Sequence, residues 1–121
     1  MIKQRVSKLQ LNLEKLLKME PKTMKCAIEW YRIRPKCHGV YVVSKSKDEE
    51  IIYFGRSKTA SGGVRQRLRQ HFYKEALSRY KATRQDVEKF LVRVLEEKDF
   101  VARRNLEMFA ISVISPRFNK D

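Results

Sequence analysis

Two short runs rich in β-branched and aromatic residues, Gly39-Val40-Tyr41-Val42-Val43-Ser44 and Ile51-Ile52-Tyr53-Phe54-Gly55, are separated only by the polar stretch Lys45–Glu50. Branched and aromatic side chains lose rotamer freedom in a helix and pack well on a pleated surface, so each run predicts a strand and the pair a β-hairpin. A hairpin is not stable alone and has to be covered by other elements. Gly62-Gly63 opens a helix over Val64–Leu77, with Val64, Leu68 and Phe72 recurring every four residues on its inner face. The alternating segment Val87–Leu95 predicts a third strand after a polar connection, Lys81–Asp86. Asp99 can cap a last helix that runs to about Ile114 and stops before Pro116.

Ahead of this β-β-α-β-α core lies a helical segment. Val6, Leu9, Leu13, Leu16 and Leu17 share one face of a helix over residues 3–19, and Glu20-Pro21 ends it. A shorter helix is expected from about Lys22 to Tyr31. The chain thus reads as an α/β protein with a small three-stranded sheet, divided into an N-terminal annex (1–37) and a core domain (38–121). With 121 residues, 42% of them hydrophobic, one small globular domain is expected rather than two. No apolar run reaches the ~18 residues of a membrane helix, and Met1-Ile2-Lys3-Gln4-Arg5 does not begin a secretion signal. A cytoplasmic location is expected. Cys26 and Cys37 then read as free thiols; Cys37-His38 with Cys26 offers three zinc ligands but lacks a second close-spaced pair.

The formal net charge is +14, which calls for a polyanionic partner, nucleic acid before a membrane surface. The charge is not uniform. Residues 1–37 hold ten basic and three acidic residues, and residues 56–84 hold nine Lys/Arg against Glu75 alone, whereas 85–121 balance at seven of each sign. A basic amphipathic N-terminal helix could lie on a membrane, but docking onto the domain or onto a second copy is the simpler reading.

Three features carry chemistry. On the helix after the hairpin, Arg67 and His71 lie one turn apart at the edge of the core stripe, where a phosphate could be clamped, while Arg65 and Arg69 occupy the other flank. Glu107 falls inside the apolar stripe formed by Phe100, Ile111 and Ile114 of the last helix; a carboxylate there has to pair with an arginine, take a proton or hold a metal. The bland alternative is an ion pair with Arg103 or Arg104. Tyr41 and Tyr53 stand on neighbouring strands, where antiparallel pairing would put both on one face as a simple packing pair or as two catalytic phenols.

Taken together, these residues resemble the GIY-YIG nuclease family. Gly39-Val40-Tyr41 resembles its first signature tripeptide and Tyr53-Phe54-Gly55 its second. Arg56-Ser57, Arg67 with His71, Glu107, Pro116 and Asn119 follow in the family's order, over about residues 38–120. The resemblance implies hydrolysis of a phosphodiester with Mg²⁺ or Mn²⁺ held by Glu107. Arg67 would neutralise charge growing on the phosphate. Tyr41 or His71 would activate water, Tyr53 would support that network, and Asn119 would lock the site from behind. Neighbouring cations and the metal would favour the Tyr41 phenolate.

Three departures stand out. Many members have lysine where this chain has Arg56, and an arginine cannot accept a proton, so Arg56 would bind phosphate or tune Tyr41. The Thr59–Gly63 loop is longer than in compact members. No appended DNA-binding domain is seen, so Lys58, Arg65 and Arg69, residues 1–37 or a partner would choose the site. The expected partner is DNA, with RNA left open, and the leucine stripe of residues 3–19 is a candidate homodimer contact. A non-catalytic nucleic-acid-binding module on the same fold is the alternative.

Overall fold

The computed structural model describes residues 2–34, 36–46, 50–58, 62–76 and 79–119; the side chains of 2–6 and of His71 lie outside that description, as does the Thr59–Ser61 part of the loop noted above. The core is an antiparallel sheet of β1 (Lys22–Thr23), β2 (Gly39–Ser44), β3 (Ile51–Arg56) and β4 (Leu91–Glu96), in the order β1-β4-β2-β3. The expected hairpin is β2 and β3, paired Val40↔Arg56, Tyr41↔Gly55, Val42↔Phe54 and Val43↔Tyr53. Ser44 then faces Ile51, which makes Ile52 the extra residue of a β-bulge. β3 is an edge strand, and its open side is where the candidate site forms.

Helices cover both faces. On one, α2 (Met24–Trp30), α3 (Val64–Leu68) and α4 (Arg84–Glu88) close over Tyr41, Val43, Ile52, Tyr53 and Val92. On the other, α1 (Ile2–Leu17) and α5 (Phe100–Ile114) close over Val40, Val42 and Phe54. The alternation of β2 sorts its side chains between these two cores, which is why Gly39–Ser44 is buried throughout. Among the described residues no helix is long and apolar enough to cross a membrane.

Four strands replace the three expected. A two-residue strand has no periodicity of its own: Lys22↔Val92 and Thr23↔Leu91 pair only because β4 lies alongside. Thr23 ends that strand and caps α2, its hydroxyl accepting from the Cys26 N–H at 3.2 Å, so the second helix starts at Met24 rather than Lys22. The supposed polar connection hides another helix. Thr83 accepts from the Asp86 N–H at 3.1 Å and starts α4, which delays the following strand to Leu91. The helix begun at Val64 also changes pitch, continuing as a π-helical turn over Arg69–Tyr73.

The leucine stripe of α1 docks within the chain. Leu13 and Leu16 are buried with Leu106 and Ala110 of α5 and with β2, leaving Leu11 exposed and Leu9 and Leu17 half-buried. Residues 1–37 are therefore built into both cores, through Leu13 and Leu16 on one face and Met24, Ala27, Ile28 and Tyr31 on the other. Truncating Leu16 to alanine is expected to cost about 2–5 kcal/mol in denaturant unfolding, the range for a buried leucine; a cost near zero would make α1 an appendage.

Candidate active site

The site gathers at the end of β3 because of a missing side chain. Gly55 faces Tyr41 across the β2–β3 pair, and a Cβ on Gly55 would run into the Tyr41 ring and hydroxyl. With only hydrogen there, the ring lies across the edge strand. Gly39 has a comparable reason: its Cβ would stand 2.5 Å from the Leu95 carbonyl oxygen of β4. Both glycines of the two tripeptides are thus required by close approach.

Tyr41 and Tyr53 do share one face, their ring centroids 6.2 Å apart, with Phe72 edge-on to Tyr53 at 5.7 Å. Arg67, projecting from α3, brings its guanidinium to both hydroxyls and carries a raised pKa because two phenols surround it, although its own burial works the other way. The Tyr41 ring is wholly buried, and its hydroxyl completes no hydrogen bond of good geometry among the described residues. Burial pushes the Tyr41 phenol well above its ordinary range, reinforced by Tyr53 and opposed by Arg67. Arg67 favours the phenolate, as expected of a neighbouring cation, while removal from water works against it. Tyr53 is raised for the same first cause.

Glu107 approaches from the opposite face. Its Oε1 accepts from Arg56 Nε at 3.2 Å, so the partner is Arg56, from the far end of the hairpin, rather than Arg103 or Arg104. The buried line of α5 runs through Arg103, Leu106 and Ala110, which puts Glu107 at its margin and leaves Phe100 exposed. Burial raises the Glu107 carboxyl above its ordinary value, while Arg56, Arg67 and Lys58 pull it down. Since Arg67 acts on Tyr41, Tyr53 and Glu107 alike, the two tyrosines and the carboxylate form one electrostatic cluster at the sheet edge.

Two further groups hold this cluster, and one of them was not anticipated. Asn119, on the helical turn Arg117–Asn119, places Oδ1 2.7 Å from the Phe54 N–H and donates from Nδ2 to the Phe54 carbonyl at 2.8 Å. Its amide thereby closes the hydrogen-bonding edge of β3 next to Gly55. Arg103 is fully buried and donates to the carbonyls of Ser57 (3.1 Å), Glu97 (2.9 Å) and Lys98 (2.9 Å). The Ser57 hydroxyl accepts from the Gly39 N–H at 3.0 Å and lies 3.0 Å from His38 Nδ1, so the residue after Arg56 is tied on every side. The sequence signal for Arg103 was its place three and seven residues before Leu106 and Ala110.

Arg79 was also missed. It donates to the Phe118 carbonyl at 2.7 Å, pairs with Glu75 at 3.6 Å and lies 5.6 Å from the Tyr53 ring, joining the Asn119 turn to the aromatic cluster. Of the other expected residues, Lys58 acts on Glu107 by charge, whereas Arg65 and Arg69 line a separate cleft on α3. The side chain of His71 lies outside the described residues, and the π-helical turn that contains it alters the wheel on which it was grouped with Arg67.

Cys26 and Cys37 are both free thiols, and among the described residues no group of three His, Cys, Asp or Glu side chains is arranged to hold a metal ion. Glu107 offers one carboxylate surrounded by cations. That donor set suits an ion such as Mg²⁺ only when phosphate oxygens and water complete its shell, so the residues fit a metal that arrives with an anionic substrate. No protein-family model, curated protein or solved structure matches the chain.

The raised carboxyl has a stability consequence. A carboxyl whose folded pKa lies above its unfolded value contributes most at low pH, and that contribution is lost as pH rises through the folded pKa. Glu107→Gln keeps an acceptor for Arg56 and removes the buried charge. Its melting temperature is expected to equal the native protein's near pH 4 and to exceed it by a few degrees at pH 7; a lower value at pH 7 would show that the ion pair outweighs burial.

Proposed function

We propose that this chain is a divalent-metal-dependent DNA endonuclease of the GIY-YIG type. The observation that carries the reading is the convergence of Tyr41 (β2), Tyr53 and Arg56 (β3), Arg67 (α3) and Glu107 (α5) around Gly55 at one sheet edge. A phosphodiester brought there meets two guanidinium groups, a buried phenol and a carboxylate paired with Arg56.

Glu107 would hold Mg²⁺ or Mn²⁺, which when bound supplies neutralisation of charge on the departing oxygen. Arg67, always protonated, would bind the non-bridging oxygens and follow their charge into the transition state. Arg56, once phosphate competes for its guanidinium, would release Glu107 and become a phosphate ligand. Its Nη1 is buried without a hydrogen-bond partner among the described residues, which suits that exchange. Tyr41, kept protonated by burial, would orient the attacking water through its hydroxyl, and His71 would accept the proton. Asn119 and Arg103 would hold the strand end and Ser57 so that the two halves keep their spacing. One such site cuts one strand, so a double-strand cut would need two protomers or two encounters.

Supercoiled plasmid with Mg²⁺ or Mn²⁺ tests this. The native protein should nick, while Glu107→Ala and Arg67→Ala should lose at least about 100-fold. Equal nicking by all three would identify a contaminant and remove the proposal. DNA binding without cutting under either metal would favour the non-catalytic module. For the proton acceptor, His71→Ala should cost about 100-fold or more and Tyr41→Phe about tenfold; the reverse order would make Tyr41 the base.

A further inference from the structure

On the flank of α3 turned away from the tyrosines, a cleft of about 450 Å³ is lined by Arg65, Arg69, Tyr73, Lys74 and Arg84, with Gln66 and Gln70 beside them. Four cations line it. Glu88 bears on the Tyr73 hydroxyl. Two details set the cleft apart from an ordinary solvated basic face. The Arg84 guanidinium stacks 4.4 Å from the Tyr73 ring centroid, so an exposed arginine from α4 is held over the cleft instead of ranging through solvent. Arg65 Nε is buried and has no hydrogen-bond partner among the described residues, a donor that loses its water without a replacement and is satisfied when an anion enters.

We propose that this cleft is a second nucleic-acid contact, a seat for consecutive backbone phosphates of a DNA strand, separate from the Tyr41 cluster. The space is larger than a lone phosphate needs. A duplex strand presents a phosphate about every 3.4 Å of axis, so cations spread over the π-helical turn and α4 meet several of them. α3 is the bridge between the two sites, since Arg67 faces the tyrosines while Arg65 reaches the cleft. A strand cut beside Arg67 would cross that one helix to reach Arg84. The strand path rests on the nuclease reading; the binding does not.

Anisotropy of a short fluorescein-labelled DNA duplex, measured in EDTA across a salt series, tests the cleft without cleavage. Each backbone contact contributes close to one to the slope of log affinity against log salt, so Arg69→Gln/Arg84→Gln should flatten it by about two and weaken binding at least tenfold at low salt. Lys8→Gln/Lys18→Gln, which removes the same charge from exposed positions on and just beyond α1, should change both much less. An unchanged slope in the first variant, equal losses in the two, or no binding by the native protein would overturn the proposal. Should the first variant fail to fold, Lys74→Gln carries the test with a slope change of about one. A native protein that binds through the cleft but never nicks plasmid removes the nuclease reading and keeps the cleft. One that nicks while Arg69→Gln/Arg84→Gln binds normally does the opposite.

Discussion

A guanidinium without solvent organises this protein. Arg103 is completely buried, and burying a charge costs several kcal/mol unless dipoles or countercharge replace the lost water. It gains carbonyl oxygens from Ser57, just past β3, and from Glu97 and Lys98, between β4 and α5. Those segments are far apart in the chain, and one planar donor joins them. Because Ser57 also accepts from Gly39 at the start of β2, the same knot fixes the hairpin's open end. Arg56 and Glu107 sit one residue before and four residues after the tethered positions, and their 3.2 Å contact follows from that anchoring.

The second constraint is steric. Tyr41 is too large to lie on its own strand's neighbour unless that neighbour is glycine, and Gly55 supplies the space. The edge position of β3 then decides what the ring meets: a tyrosine that crosses an edge strand brings its hydroxyl to where side chains from both faces converge. Arg67 reaches that point from one face and Glu107 from the other. An edge strand left open is a pairing hazard, and Asn119 meets it by taking both backbone groups of Phe54 with one amide. The rim of the site is thus closed to another strand at Phe54.

Charge is distributed with the same economy. The stretch from Arg56 to Arg84 divides between two places, with Arg56 and Arg67 at the tyrosine cluster and Arg65, Arg69, Lys74 and Arg84 around the cleft beside Tyr73. A single short helix separates them. Burial works against charge at the cluster, raising Glu107 and both tyrosines, while Arg67 opposes it at all three.

Several elements were legible in the residues alone. The β-branched runs specified the hairpin, Asp99 marked the start of α5 with its carboxylate accepting from the Ala102 N–H at 2.8 Å, and the leucine spacing specified α1. These are local signals: side-chain rotamer preference, an end-capping oxygen and a repeat matching the helical turn all act within a few residues. Local spacing also put Tyr41 with Tyr53. It could not supply β1, whose two residues are a strand only by virtue of β4, nor the partner of Glu107, which lies on another element. It showed the cation beside Tyr41 but not the burial that opposes it, because charge was visible in the sequence and depth was not. Desolvation, the meeting of two sheet faces at Gly55 and the burial of Arg103 depend on distances between segments remote in sequence, and only the packed chain decides them.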